Sequence, residues 1–448
     1  MLLERWTGWS QRILSPESVL PVLLALLVSV ALVVTLPQAY SNWEGTREVM
    51  GEQDFGLRLL RELGVSIVVL YCLLLRRYWD ILLNPAVVSS IAVVGAYVIF
   101  EVMYALERNL PLVVPLAGLR VFEYLPLLFT GIMMARMPQG EQAFRRLAHY
   151  VCLFVLIEGV LGVIQALYSP HLYGVSLLGG GRAFGTFVSP NAYGATLATC
   201  VLLFAMSNCA RLRLWLFLCV IFIVLSGSRT AFVCTALVLF FIGLRSLAPW
   251  ERVLTLLLTP FLLGGALWLG SSKIVSGRDI EGEGRLEAWA DLLTNNVQSV
   301  WNLLFGWGLG LGSNTVTVLF GNDAFTGQFT SDSLYMYLLN GFGLIGLLAY
   351  LIALGWVWRR SHHPDKTLFI LFLLLAGVPF NAWEMFPQNA LLMLLLGYVV
   401  GYPQRDTARA PSGISRYSHY GNGAQPSVSP VTGAHPRHPL SPTMESRR

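Results

Sequence analysis

The sequence predicts an all-α polytopic membrane protein with about twelve transmembrane helices and one large loop on the outer face. Three observations predict this class. Hydrophobic residues make up 55% of the 448 and charged residues only 12%, with a mean hydropathy of +0.62. Soluble domains carry about a quarter charged residues. Apolar runs repeatedly reach the roughly 20 residues that span a bilayer as a helix. These runs do not alternate apolar and polar residues, as the strands of a membrane barrel do.

Hydropathy places the helices near 19–37, 63–76, 85–105, 115–135, 148–168, 191–207, 213–226, 230–244, 253–270, 333–357, 367–382 and 386–402. The first run has no small-residue cleavage site behind it, so it reads as a retained span rather than a signal peptide. Orientation follows from the basic residues. Arg5 and Arg12 precede the first span, and alternate loops carry Arg76 and Arg77; Arg136, Arg145 and Arg146; Arg211 and Arg213; Arg245 and Arg252; and Arg359, Arg360 and Lys366. All fall on one side, which the positive-inside rule makes cytoplasmic. An even number of spans then puts both termini there. The membrane domain covers 1–402. The tail, 403–448, is rich in Pro, Ser, Gly, Arg and His, cannot bury a core and is expected to be disordered. His435 and His438 in it read as solvated. The net charge of +5 lies largely in short loops and the tail, so topology accounts for it and no nucleic-acid partner is expected.

The six cysteines, Cys72, Cys152, Cys200, Cys209, Cys219 and Cys234, lie in or beside apolar runs without metal-ligand spacing and read as small buried hydrophobes. The outer loops are 38–62, 106–114, 169–190, a short one at 226–229 and a long one at 271–332. Connections as long as the last rarely lack structure or function. Within it, Leu286, Trp289, Leu292 and Leu293 share one helical face, which predicts an amphipathic helix lying on the membrane. The tract GWGLGLGSN, Gly306 to Asn314, lacks the G-K-[ST] of a phosphate loop and follows no clear strand, so it reads as a set of tight turns.

Arginine should be sparse on the outer side, yet Arg182, Arg229 and Arg285 map there, and Arg120 sits near the outer end of the fourth helix. An ionisable group inside a span costs roughly 2.5–3.5 kcal/mol on insertion scales unless it is solvated or paired. Each has a local explanation: Arg120 paired with Glu123, Arg285 with Glu281, Arg229 at a helix end. Arg182 is harder to explain that way, because the glycines of GGGRAFG allow close backbone approach. Together the arginines predict an anion site at the membrane boundary, since guanidinium forks grip phosphate oxygens. Asn191 would begin the sixth helix and Ser228 precedes the eighth, so two helix N-termini would add favourable dipoles.

RAFGTFVSPNAYG, SGSRTAF, GRLEAW, FGWGLGLG and TSDSLYMYLLNGFGLIGLL occur in that order. This series resembles the O-antigen ligase and O-antigen polymerase superfamily of bacterial inner membranes, over about Arg120 to Gly401. The resemblance implies a GT-C-like membrane glycosyltransferase with its active site on the periplasmic face. It needs neither metal nor cofactor. It takes a glycan from an undecaprenyl-pyrophosphate carrier and passes it to another lipid-linked repeat or a growing exopolysaccharide (polymerase), or to lipid A–core (ligase). Chain-length regulators and polysaccharide export proteins are further partners that it suggests. Arg182, Arg229 and Arg285 map onto the family's pyrophosphate-binding arginines. Ligases typically carry a His-Asn-like pair before the helix containing LLNGFGLIG; here Asp332 and Ser333 stand there, and the only histidine placed outside is His171. That departure favours the polymerase over the ligase. A transporter of lipid-linked sugars is the reading from another class, disfavoured because no internal repeat is visible.

The expected chemistry has three parts. Arg182, Arg229 and Arg285 would stabilise the leaving pyrophosphate, with Arg120 guiding the carrier. Asp332, or else Glu287, would take the proton of the acceptor hydroxyl; a helix N-cap is the competing role for Asp332. Trp289, Trp307, Tyr335 and Tyr337 offer rings for sugar faces or serve as interfacial anchors.

Overall fold

The computed structural model describes residues 15–43, 55–168, 181–187, 189–209, 212–245, 249–271, 281–320, 325, 333–378, 381 and 384–404. Among them the chain is all-helical, with no β-strand. The helices are α1 (Pro16–Trp43), α2 (Phe55–Leu73), α3 (Arg76–Leu82), α4 (Pro85–Glu107), α5 (Val113–Leu119), α6 (Leu125–Arg136), α7 (Gly140–Tyr168), α8 (Pro190–Met206) and α9 (Arg213–Ser226). They continue with α10 (Arg229–Arg245), α11 (Pro249–Ser271), α12 (Glu281–Val297), α13 (Val300–Phe305), α14 (Asn314–Phe320), α15 (Leu334–Arg360), α16 (Lys366–Gly377) and α17 (Gln388–Gly401). Five stretches, in α1, α4, α7, α11 and α15, are long and apolar enough to cross a membrane; α6, α8, α9, α16 and α17 are shorter apolar helices. The described helices belong to one compact unit, Met1–Pro403.

Local chemistry sets several helix starts. Ser189 caps α8, its Oγ accepting the Ala192 N–H at 3.2 Å with Pro190 in the first turn. Asn84 and Pro85 begin α4 in the same way, Asn84 Oδ1 accepting from Ala86 N at 3.0 Å.

The fourth run, read as one span over 115–135, is divided. α5 ends at Leu119, a 3-10 turn covers Arg120–Phe122, and α6 starts at Leu125 with Pro126 in its first turn. Proline cannot donate the N–H that a continuous helix would need there. The 271–332 region holds α12, α13 and α14. The expected amphipathic helix is α12, but its apolar face is unevenly covered: Leu292 is 4% exposed and Leu293 42%. α15 is interrupted at Gly343, whose φ of 63° and ψ of −166° break the helical course.

Close crossings at glycine hold the core. α6 and α17 approach so nearly that a Cβ on Gly131 would stand 2.1 Å from Leu394 O, and one on Gly397 1.8 Å from Leu128 O. Gly397 and Gly401 are four apart on α17, the small-residue spacing that lets helix backbones meet. α8, α9 and α10 pack together, and α1 lies along α7, where the Arg146 guanidinium donates to Glu17 O at 3.0 Å and Ser18 Oγ at 2.9 Å. All six cysteines are free thiols, five of them buried.

Candidate functional site

The segment 181–187 is a non-helical strap leading to α8. Two polar side chains of α7 hold it from beneath. Gln165, 1% exposed, donates from Nε2 to Gly185 O at 2.6 Å. Its Oε1 accepts from the N–H groups of Phe184 at 3.0 Å and Gly185 at 2.6 Å. Glu158, fully buried, accepts from Thr186 N at 3.0 Å and from Thr186 Oγ1 at 2.5 Å. Thr35 of α1 adds a hydroxyl bond to Thr186 Oγ1 at 2.8 Å. Gly185, at φ +56°, is required here, because a Cβ would lie 2.0 Å from Glu158 Oε2. Buried polar groups need partners, and Glu158 and Gln165 find theirs in the strap backbone.

The strap delivers Arg182 to the turn between α9 and α10. Its Nε donates to Ser226 O at 2.8 Å, and its Nη2 to Gly227 O at 3.2 Å and to Asn191 Oδ1 at 3.1 Å. Gly227 closes α9 in the left-handed region (φ 59°), and a Cβ there would come within 3.1 Å of Arg182 Nε. Ser226 Oγ accepts from Ser228 N at 3.1 Å, which tightens the turn. Arg229 is the first residue of α10 and is exposed. The structure therefore brings together Arg182, Asn191 and the turn that carries Arg229. Half-buried Arg182 is fixed at three acceptors, so its planar fork is pre-oriented beside the starts of α8 and α10.

The other expected site residues divide. Arg285 and Glu287 are on α12, but their side chains lie outside the described residues, and so does Asp332 altogether. Arg120 belongs to a second cluster. Its Nε is 3.8 Å from Glu123 Oε2, and its Nη1 donates to Thr315 Oγ1 at 3.3 Å. Glu123 also meets Arg61, with Nε–Oε1 at 3.4 Å, and Arg61 pairs with Glu62. Sequence reasoning singled out neither Arg61 nor Glu62.

Trp307 faces the Arg108 guanidinium, whose Cζ is 5.2 Å from its ring. Tyr337 is fully buried, so its ring offers no face to a sugar. Tyr335 donates to Leu374 O at 2.7 Å, which ties α15 to α16.

The glycine tract is a buried ribbon. Gly306, Gly308, Gly310 and Gly312 all have positive φ, from 76° to 115°. Leu309 and Leu311 between them are 0% and 1% exposed. Gly310 passes so close to α5 that a Cβ would be 2.0 Å from Val114 O. The ribbon also supports the interruption in α15, where Trp307 N donates to Asn340 O at 2.7 Å. Tyr97 of α4 donates to Phe342 O at 3.0 Å. The tract is therefore a packing device, as its spacing suggested.

Neither protein-family models nor curated proteins match this chain.

Proposed function

We propose that this chain is an inner-membrane, GT-C-like glycosyltransferase of about twelve spans. It joins undecaprenyl-pyrophosphate-linked oligosaccharide repeats into O-antigen or exopolysaccharide on the periplasmic face, with both termini in the cytoplasm. The observation that carries the reading is the setting of Arg182. A glycine-bounded strap, held by buried Glu158 and Gln165, presents a pre-oriented guanidinium next to Arg229 and the first turns of α8 and α10. Fixed positive charge at helix N-termini suits a pyrophosphate. Held at the membrane boundary, it would stabilise the charge that builds on the bridging oxygen as the glycan leaves.

In that reaction the acceptor hydroxyl attacks the anomeric carbon opposite the departing lipid pyrophosphate. The C–O bond to phosphate breaks, the new glycosidic bond forms with inversion, and the hydroxyl proton passes to a base. Asp332 and Glu287 remain the bases that the resemblance and spacing suggest, and Arg285 the third pyrophosphate arginine.

The interruption in α15 speaks to the transporter reading, because broken helices often line substrate paths. Here the Phe342 carbonyl is taken by Tyr97 and the Asn340 carbonyl by Trp307, so the break is closed by protein.

The test is a product assay in nanodiscs with a lipid-linked repeat as the only substrate. A ladder of products, lost in Arg182→Ala and partly kept in Arg182→Lys, is the expected result. Transfer only after lipid A–core is added would make the enzyme a ligase. Full turnover by a well-inserted Arg182→Ala protein would refute the pyrophosphate role.

A further inference from the structure

The second cluster is built from segments far apart in the chain. Arg61 and Glu62 come from α2, Arg120, Glu123 and Tyr124 from the turn before α6, and Phe386 from the loop before α17. Arg61 is 8% exposed. Its Cζ stands 6.0 Å from the Tyr124 ring and 5.8 Å from the Phe386 ring, and these two rings stack at 5.8 Å. The cluster is open on one side, since the Glu62 and Arg120 side chains keep 38% and 35% of their surface.

Its polar groups are not satisfied by one another. Among the described residues, Arg61 Nε, Glu123 Oε1 and the Tyr124 hydroxyl are buried without a hydrogen-bond partner. On either side of Phe386, both amide atoms of Asn381 and Gln388 Oε1 are in the same position. Asn381 and Gln388 are 2% and 1% exposed. Native proteins leave few such groups, because each costs about 1–3 kcal/mol. Their concentration around one cluster points to a missing polar ligand.

The charge balance selects its chemistry. Two carboxylates repel a phosphate, and two guanidiniums repel a divalent cation. An apolar ligand would leave all four charges unpaired. A neutral polyol suits them, because each hydroxyl both donates and accepts. It can give hydrogen bonds to Glu62 and Glu123 and take them from Arg61, Arg120 and Tyr124.

We propose that this cluster is a carbohydrate-binding subsite that receives an uncharged sugar ring of the acceptor glycan, separate from the Arg182 anion site. That the sugar is the acceptor rests on the glycosyltransferase reading; that the cluster binds sugar does not.

The test uses the full chain in nanodiscs with two probes. One is the lipid-free oligosaccharide released by mild acid from the lipid-linked repeat, followed by saturation-transfer NMR. The other is undecaprenyl pyrophosphate, followed by competition binding. Glu62→Gln, Glu123→Gln and Tyr124→Phe should each weaken oligosaccharide binding about tenfold, the loss of one good hydrogen bond. Binding of undecaprenyl pyrophosphate should stay within about twofold. Arg182→Ala should show the opposite pattern. Tyr124→Phe and Glu62→Gln keep the test valid if Glu123→Gln fails to fold. No oligosaccharide binding by the parent protein, unchanged binding in all three variants, or equal loss of both probes would overturn the subsite. Loss of undecaprenyl pyrophosphate alone in these variants would make the cluster an anion site and overturn it too. A parent protein that binds oligosaccharide through Glu62 and Tyr124 but ignores undecaprenyl pyrophosphate would uphold the subsite and sink the glycosyltransferase reading.

Discussion

Replacing Gln165 by leucine removes the centre of the strap's support. Three hydrogen bonds disappear: Nε2 to Gly185 O, and Oε1 from Phe184 N and Gly185 N. Each is buried, and a typical net value of about 1 kcal/mol gives about 3 kcal/mol for the three. The cost rises if the stranded backbone groups stay buried. The effect should be local, because the strap is non-helical and Glu158 still holds Thr186. Hydrogen exchange read by mass spectrometry in nanodiscs measures it. The amides of Phe184 and Gly185 should exchange about 100-fold faster, since 1.4 kcal/mol corresponds to tenfold. The amides of α6 and α17 should not change. Acceleration below about threefold at Phe184 and Gly185 would refute the clamp. Equal acceleration in α6 and α17 would show instead that Gln165 supports the whole fold.

Further outcomes follow from the glycine ribbon and from the turn between α15 and α16. Gly310→Ala combines a Cβ 2.0 Å from a backbone oxygen with a φ of +98°, so thermal unfolding should show a loss of about 2–5 kcal/mol. Gly355→Ala in α15 meets nothing within 4 Å and should be neutral or slightly stabilising by the same measurement, through helix propensity. Burial, then the charge of Arg245, pushes the His363 imidazole down to about 4 from its usual 6.5, and Nδ1 accepts the Asp365 N–H at 3.0 Å. The unfolded chain binds this proton first, so stability should be level above pH 6.5 and fall by about 3 kcal/mol as pH drops to about 4. His363→Asn keeps an acceptor near Nδ1 and should flatten that part of the pH profile in denaturant titrations; an unchanged slope would assign it to Asp365 or Glu141.

Much of the architecture was legible because hydropathy and helix-start signals are local. The helical class, α8 behind Ser189-Pro190 and the existence of α12 all rest on neighbours in sequence. The meeting of Arg182, Asn191 and the Ser226–Arg229 turn was also foreseen, since glycine-rich and serine-rich segments beside arginines announce close backbone approach. What escaped depends on pairs distant in the chain. Glu158 and Gln165 are isolated polar residues in an apolar run, and their partners lie 28 and 20 residues away. Arg61 and Glu123 are 62 apart, and only the fold puts them side by side. The fourth span was read as continuous because hydropathy averages over Arg120, Glu123 and Pro126, the residues that turn it. The alternate glycines of 306–312 were visible, but not that each takes positive φ with leucines buried between them.

The interruption at Gly343 also changes how α15 can carry a mechanical load. An unbroken helix of 27 residues would act as a push-rod between its two ends. Here the part before Gly343 is fastened to the ribbon and to α4 through the Asn340 and Phe342 carbonyls. The part after it runs to the His363 turn, where Ser361 Oγ is tied to Val399 O at 2.6 Å. A displacement at one end is thus taken up by rotation at a jointed glycine, and the two ends of the molecule are insulated from each other's motion along this element.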